Sequence, residues 1–440
     1  MFGTSGIRGL YGKEVTGELA LKIGNLSAGE TTVIGRDIRG SGKVLSLALV
    51  SGVLSKGKDA IDIGIVPTPT LALACKNLNC NGIMVTASHN PPEYNGLKLF
   101  SKGLEISRET EEKITKAYCE NRISFCNWNK TGVVRIYENA VLEHKNLIKK
   151  LIDLKLIQAK KPKVVLDCNG PASVIAPKLM EEIGCRVVSI HTSLEKFERP
   201  SEPNSKNLLI LSKRVVEESA DFGIGYDGDA DRAVIVDEKG VVFPLDVQLA
   251  AIIENEMKKN KTPAKKIITT IEASLIVKKT IEKAGALPII TPVGSLFVSK
   301  ALQKENAVFG GEPCGEYIFK DGVCSPDGIL TGAKFAEIFC MQKKLSELRE
   351  KYPCYPMVRE KFECDNSKKY KIIEKIKKDA KFVGSIRDDD GIRIDQQDGW
   401  FLIRASGTEP FIRMTMEYLE KTRLEKMAAD IRKIILSNLE

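Results

Sequence analysis

Histidine appears only three times in 440 residues and none of the eleven cysteines forms a C-x-x-C pair, so a zinc site lacks ligands at usable spacing. The irregular cysteine spacing in so long a chain points to reduced, mostly buried thiols rather than a disulfide framework. Nowhere do apolar residues run on for the roughly 18 positions of a membrane span. Low-complexity tracts and short repeats are missing, and the opening MFGTSGIRGL has neither the basic start nor the apolar stretch of a secretory signal. These absences predict a soluble, cytoplasmic protein with no membrane partner. Charge of one sign is scarce as well: 67 basic residues against 58 acidic leave +9, spread along the chain apart from lysine-rich stretches such as 372–378. That argues against a nucleic-acid partner, although a small anionic substrate would feel the same field.

What the chain does have is length and periodicity. At about 100–200 residues per domain, it suggests about three domains with a large buried interior. A β-branched strand, a polar loop, an amphipathic helix, a glycine and a second strand follow one another three times. The first copy runs from TTVIGRD through a helix at 45–54 to Gly57 and DAIDIGIV; the second from KVVLDCN through 175–183 to Gly184 and CRVVSI; the third from KIITTIE through 275–284 to Gly285 and ALPIITP. Glycine just past each helix suits a left-handed cap, and the apolar strands suit sheets buried on both faces. Charged helical stretches at 143–161 and 255–266 separate the copies. From about Pro353 a lysine-rich helix, the strands GIRIDQ, GWFLIRAS and FIRMTMEYL, and a closing helix to Leu439 read as antiparallel α+β. The expected fold class is α/β: three similar α/β domains with mixed sheets, at 1–150, 151–250 and 251–355, plus a smaller C-terminal α+β domain at 356–440.

Four loops could carry chemistry. In VTASHNPPEYNGLK, Pro91 and Pro92 can extend neither a ladder nor a helix, so the strand ending near Thr86 breaks and leaves Ser88 exposed at its end. No G-x-S-x-G surrounds Ser88, and no Ser-His-Asp hydrolase arrangement is evident. In YDGDADRAVIVDE, Asp227, Asp229 and Asp231 alternate with small residues just after the strand DFGIGY. Three anions so close would raise one another's pKa, and a hard divalent cation relieves the repulsion. An EF-hand would also put a carboxylate at its twelfth position, here Glu238. Arg232, however, stands at the sixth, where that loop needs glycine, and strands replace the flanking helices. Mg²⁺ fits better than structural Ca²⁺, because three carboxylates leave positions for water or a phosphate oxygen.

GGEPCGEYIF brings Glu312, Cys314 and Glu316 into one glycine-bracketed turn, where carboxylates suit sugar hydroxyls; an ordinary surface turn has a similar composition. RASGTEPFIR joins two strands, and the backbone N–H groups of Ser406, Gly407 and Thr408, flanked by Arg404 and Arg413, would form an anion nest with cationic walls. A plain hairpin loop with two exposed arginines is the alternative.

In order and spacing, TASHNP, DGDADR, GEPCGE and RASGTEP resemble the four signature loops of the α-D-phosphohexomutase family, over the whole chain. The resemblance implies a phosphoserine at Ser88 beside His89, and Mg²⁺ held by Ser88, Asp227, Asp229 and Asp231. It further implies substrate contacts from Arg232, Glu312, Cys314 and Glu316, and phosphate binding by Arg404, Ser406, Gly407, Thr408 and Arg413. FGTSGIRG resembles the family's start, in which an arginine reaches the active-site phosphate, here Arg8; NGLK places Lys98 where the family has a proton-transfer lysine. The four domains would then surround a central cleft, bearing in turn the phosphoserine, the metal, the sugar contacts and the phosphate loop, with a mobile C-terminal domain closing it. Phosphoserine 88 would donate to the free hydroxyl of a phosphorylated hexose or hexosamine, the bisphosphate would reorient, and the other phosphate would return to Ser88. Within the family, R-x-S-G-T-E-P is similar to the phosphoglucosamine mutases, which implies glucosamine 6-phosphate and glucosamine 1-phosphate. Cys314 stands where serine is usual and Glu316 where histidine is usual. Open alternatives are a phosphomannomutase or phosphoglucomutase, a metal-dependent sugar phosphatase, and a non-catalytic sugar-phosphate binder, as monomer or homodimer.

Overall fold

The computed structural model describes residues 1–3, 5–259, 265–342, 344–379, 382–406 and 410–439. All three repeated units form. Thr31–Arg36, Gly42–Ser55 and Asp59–Ile65 make the first; Lys163–Asp167, Ala176–Glu182 and Arg186–Ile190 the second; Lys266–Thr270, Leu275–Lys283 and Leu287–Thr291 the third. In each, the two strands are parallel neighbours. Gly57, Gly184 and Gly285 have φ of +77°, +106° and +70°, ending the helices in a conformation that a side chain would strain. Alternation then buries both faces of the first sheet: Ile34, Ile83, Val85, Leu97 and Leu99 pack into one layer, and Val33, Met84 and Phe100 into the other.

The sheets are mixed because each adds an antiparallel hairpin to its parallel strands. These hairpins pair Asn81–Val85 with Tyr94–Ser101, Phe222–Tyr226 with Ala233–Asp237, and Phe309–Gly311 with Tyr317–Phe319. The fourth sheet, ordered Met357–Glu363, Phe411–Tyr418, Gly399–Ala405, Ile392–Asp395, Ser385–Arg387, is antiparallel throughout. Helices Lys369–Asp379 and Lys421–Leu439 cover its own core. Of the charged separator 255–266, the helix Leu245–Lys259 contains the start, and 260–264 lie outside the described residues.

Every motif loop joins the two strands of one antiparallel pair, at 86–93, 227–232, 312–316 and 406–410. The second and third sheets share a core to which the helices Leu245–Lys259 and Gly328–Met341 contribute heavily, whereas Ile271, Trp400 and Leu402 join the third sheet to the fourth. All eleven cysteines are free thiols, six of them buried. Among the described residues, no helix is long and apolar enough to cross a membrane.

Candidate active site

Past Val85 the chain turns sharply, and Ser88 takes φ +49°, in the left-handed region that costs a non-glycine residue about 1 kcal/mol. Three bonds hold it there. Its N–H donates to Thr86 Oγ1 (2.9 Å), its carbonyl accepts from Arg39 Nη2 (2.8 Å), and its Oγ donates to Asp227 Oδ2 (2.8 Å). Arg39 staples the whole loop, donating also to the carbonyls of Asn90 (2.8 Å), Pro91 (2.5 Å) and Tyr94 (2.9 Å) while its Nε pairs with buried Asp37 at 3.0 Å. Ser88 is not exposed, as the sequence suggests, but 1% accessible. The reason is the aspartate loop of the second sheet, which packs onto it at Gly228, where a Cβ would lie 2.4 Å from the Ser88 carbonyl oxygen.

In that loop Ala230 at φ +56° bends the backbone, and carboxylate oxygens of Asp227, Asp229 and Asp231 lie within 4.8 Å of one another, all buried. Lys98, on the facing strand Tyr94–Ser101, donates to Asp229 Oδ2 (2.8 Å) and Asp231 Oδ2 (2.7 Å); Thr68 Oγ1 adds a bond to Asp229 Oδ2 (2.5 Å). Burial pushes the Lys98 pKa down, but Asp229 and Asp231 outweigh it and hold the ammonium well above its ordinary value. Burial would likewise raise Asp229, yet Lys98 holds it below the usual carboxylate range. Asp227 and Asp231 are pushed up, first by burial and then by their neighbouring aspartates. Asp229 Oδ1 and Asp231 Oδ1 are buried with no partner among the described residues. Unpaired buried acceptors are costly, and these hard oxygens fit a divalent cation beside Ser88.

Arg232 closes the loop by donating through Nε (3.0 Å) and Nη2 (2.5 Å) to Glu316 Oε1 of the third domain. Glu312, Cys314 and Glu316 bring one ligand atom each within 4.8 Å of the others. Glu312 is buried and accepts the Gly294 N–H at 3.0 Å; burial first and Glu316 second raise the pKa of both Glu312 and Cys314. His89 Nδ1 lies 3.4 Å from Ser88 Oγ, and burial, then Arg232 and Arg8, push its pKa down, keeping the ring neutral near pH 7. Arg8 Nη1 donates to Asn90 Oδ1 at 3.3 Å, and its buried Nε has no partner among the described residues.

The fourth loop is anchored differently. Arg404 is buried, donates to Glu272 Oε1 (2.9 Å) and pairs with Asp390 Oδ2 (3.3 Å). Arg413 stands opposite it in the strand register, and the buried Ser406 gives its carbonyl to Lys369 Nζ. Gly407 and Thr408 lie outside the described residues. Ser88, His89, Arg8, Lys98 and the three aspartates thus form one cluster, to which Arg232 joins Glu316.

Four family models match the chain in order: phosphoglucomutase/phosphomannomutase α/β/α domain I at 1–123, domain II at 143–240, domain III at 246–355 and the C-terminal domain at 360–434. The chain belongs to the phosphoglucomutase/phosphomannomutase family. It is 41% identical over 427 residues to a probable phosphoglucosamine mutase of Methanosarcina acetivorans, covering 96% of either chain. A phosphoglucomutase/phosphomannomutase of Thermococcus kodakarensis is 38% identical over 434 residues, covering 95% of this chain and 94% of that one. Among solved structures, a phosphoglucomutase/phosphomannomutase family protein of Burkholderia thailandensis superposes with a TM-score of 0.87 at 27% identity, covering 99% and 97% of the two chains. Within this phosphoglucomutase/phosphomannomutase fold, sequence reasoning misses Asp37, Arg39 and Thr68. Their only signals are a D-x-R in the first β/α loop and a threonine after Pro67, neither distinguishable from ordinary loop and helix-start chemistry.

Proposed function

We propose that this chain is a phosphoglucosamine mutase that interconverts glucosamine 6-phosphate and glucosamine 1-phosphate through a phosphorylated Ser88. The observation that carries the reading is Ser88 Oγ at 2.8 Å from Asp227 Oδ2, beside two aspartates with unpartnered oxygens. Relatives named probable phosphoglucosamine mutase, at 36–41% identity, support the amino sugar.

In the first transfer the Oγ–P bond of phosphoserine 88 breaks, a bond forms from phosphorus to the free sugar hydroxyl, and the hydroxyl proton ends on Ser88 Oγ through Lys98. The bisphosphate turns over, and the same exchange at its other end recharges Ser88. Asp227, Asp229 and Asp231, with an oxygen of the phosphoserine, would hold Mg²⁺, which supplies charge to the phosphate and offsets the carboxylates that keep Lys98 protonated. Arg8 offers its unpartnered Nε to the phosphoserine, and neutral His89 lines it. Arg232, Glu312, Cys314 and Glu316 face the sugar; Arg404, Ser406, Gly407, Thr408 and Arg413 take the phosphate that is not reacting. The roles divide over 1–150 (phosphoserine), 151–250 (metal), 251–355 (sugar) and 356–440 (phosphate). Ser88 is 1% accessible, and a site that shields the phosphoserine from water in the same way favours transfer to the sugar over hydrolysis.

Peptide mapping should find phosphate on the peptide containing Ser88, and Ser88→Ala should lose nearly all turnover while keeping its fold. Full wild-type activity with that peptide unmodified would defeat the reading. The Thermococcus relative favours neutral hexoses as the second reading. Comparing kcat/KM for glucosamine, glucose and mannose 1-phosphates decides between them, and equal or faster turnover of the neutral sugars would move the substrate.

A further inference from the structure

We infer that His144, outside all four motif loops, is a positioning residue for the aspartate cluster, closing a buried hydrogen-bond relay that grips the aspartate loop from two sides. The inference rests on the proposed cation-binding role of Asp229.

His144 lies on the buried face of the helix Ala140–Lys150 and has no accessible surface. Its Nδ1 is 2.8 Å from Thr70 Oγ1 and its Nε2 is 2.9 Å from Asp327 Oδ2. One hydrogen-bond arrangement satisfies all three groups: the Thr70 hydroxyl donates to Nδ1, and Nε2–H donates to the carboxylate. The order threonine, histidine, aspartate is that of a nucleophile triad, but Thr70 is fully buried, which closes its hydroxyl to a substrate. The relay therefore holds geometry.

Each end is fixed to a segment that holds the aspartate loop. Two residues before Thr70, Thr68 opens the helix Thr68–Asn77; its N–H donates to the Asp229 carbonyl (2.9 Å) and its Oγ1 to Asp229 Oδ2 (2.5 Å). Lys98 takes the same Oδ2. Together they decide that Oδ1 is the oxygen left without a partner among the described residues. On the other side, Asp327 caps the helix Gly328–Met341 by accepting the Leu330 N–H (2.9 Å), and the Gly328 N–H donates to the Ala230 carbonyl (3.2 Å). Packing there leaves no slack, since a Cβ on Gly328 would lie 2.6 Å from the Arg232 carbonyl oxygen. The Asp327 N–H also donates to the carbonyl of Tyr317 (3.0 Å), the residue after Glu316. One imidazole thus couples the segment that orients Asp229 to the segment that supports Ala230.

The test is Mn²⁺ binding to the full chain by calorimetry, with kcat and KM measured for glucosamine 1-phosphate. Outer partners of metal ligands typically matter 10–100-fold, so Thr70→Val and His144→Ala should each weaken Mn²⁺ binding about tenfold. kcat should fall with KM unchanged, and added imidazole should restore Mn²⁺ affinity to His144→Ala but not to Thr70→Val. If His144→Ala does not fold, Thr70→Val decides, because it deletes one hydroxyl and keeps the shape. Variants that lose stability yet bind Mn²⁺ as tightly as wild type would overturn the inference and leave His144 a packing residue. Wild-type protein that binds no Mn²⁺ would instead remove the cation role of Asp229, a failure of the premise seen before any variant is made.

Discussion

Arg39 shows how much of a site can depend on a buried side chain whose bonds all go to the protein itself. Its guanidinium serves four backbone carbonyls and Asp37, whose pKa burial pushes up and Arg39 pulls back. Arg39→Met would leave the Asp37 carboxylate buried without its cation, held only by the Thr86 hydroxyl and a backbone N–H, so denaturant unfolding should show a loss of about 3 kcal/mol. A variant as stable as wild type would mean the pair is replaceable. At Gly228 the consequence is catalytic: Gly228→Ala must part the serine and aspartate loops, because the new Cβ meets the Ser88 carbonyl at 2.4 Å. Its kcat should fall far more than its melting temperature, and unchanged turnover would show that the loops tolerate separation. Glu316→Gln should narrow the preference for glucosamine over glucose phosphates by about fivefold, equivalent to about 1 kcal/mol, and an unaltered ratio would take Glu316 out of substrate choice. Ser88 and the three aspartates are legible in the sequence because their chemistry lies in local spacing. Arg39, Thr68 and His144 are not, since the partners that give them meaning lie 49, 161 and 183 positions away.

Among elements, the junction of the third and fourth sheets combines apolar packing with buried polar contacts. Glu417 accepts from Ser274 Oγ, the Leu275 N–H and Trp400 Nε1, each at 2.7 Å, while Arg393 stacks 3.9 Å from the Trp400 ring centre. Nearby, burial first and Glu417 next push Asp246 up to about 7, against the pull of Arg359. A carboxylate raised in this way keeps a proton in the folded chain that the unfolded chain has already lost. Its contribution is complete below the ordinary pKa of 3.8, falls as pH rises toward about 7, and is gone above that. Asp246→Asn should therefore melt a few degrees above wild type at pH 8 and level with it near pH 4; an advantage independent of pH would exclude Asp246 as the titrating group. The glycine-ended units were readable because three local rules coincide in each. The edge strands Met357–Glu363, Ser385–Arg387 and Val134–Ile136 were not: the last two are three residues long and mostly exposed, and the inward positions of the first, Val358, Glu360 and Phe362, include a charged residue that hides its alternation from the sequence.

At the scale of the molecule, the chain pattern predicts the units but not where they meet, since the meeting depends on side chains such as Lys98 and Arg232 reaching across domains. That assembly leads to a linked prediction for the cation. Chelation should abolish transfer reversibly, and Mg²⁺ should raise the melting temperature more at pH 8 than at pH 5.5, because protons on Asp227 and Asp231, whose pKa values are raised, compete with the ion. Equal shifts at both pH values would place the ion elsewhere. The bond between Ser88 and Asp227 also has a history in each molecule, because its partners are 139 positions apart. At about 5–20 residues per second, Ser88 is made roughly 7–28 s before Asp227. Over most of that interval Ser88 and Lys98 are both without their aspartate partners, so each newborn chain carries the cationic half of its site before the acidic half exists.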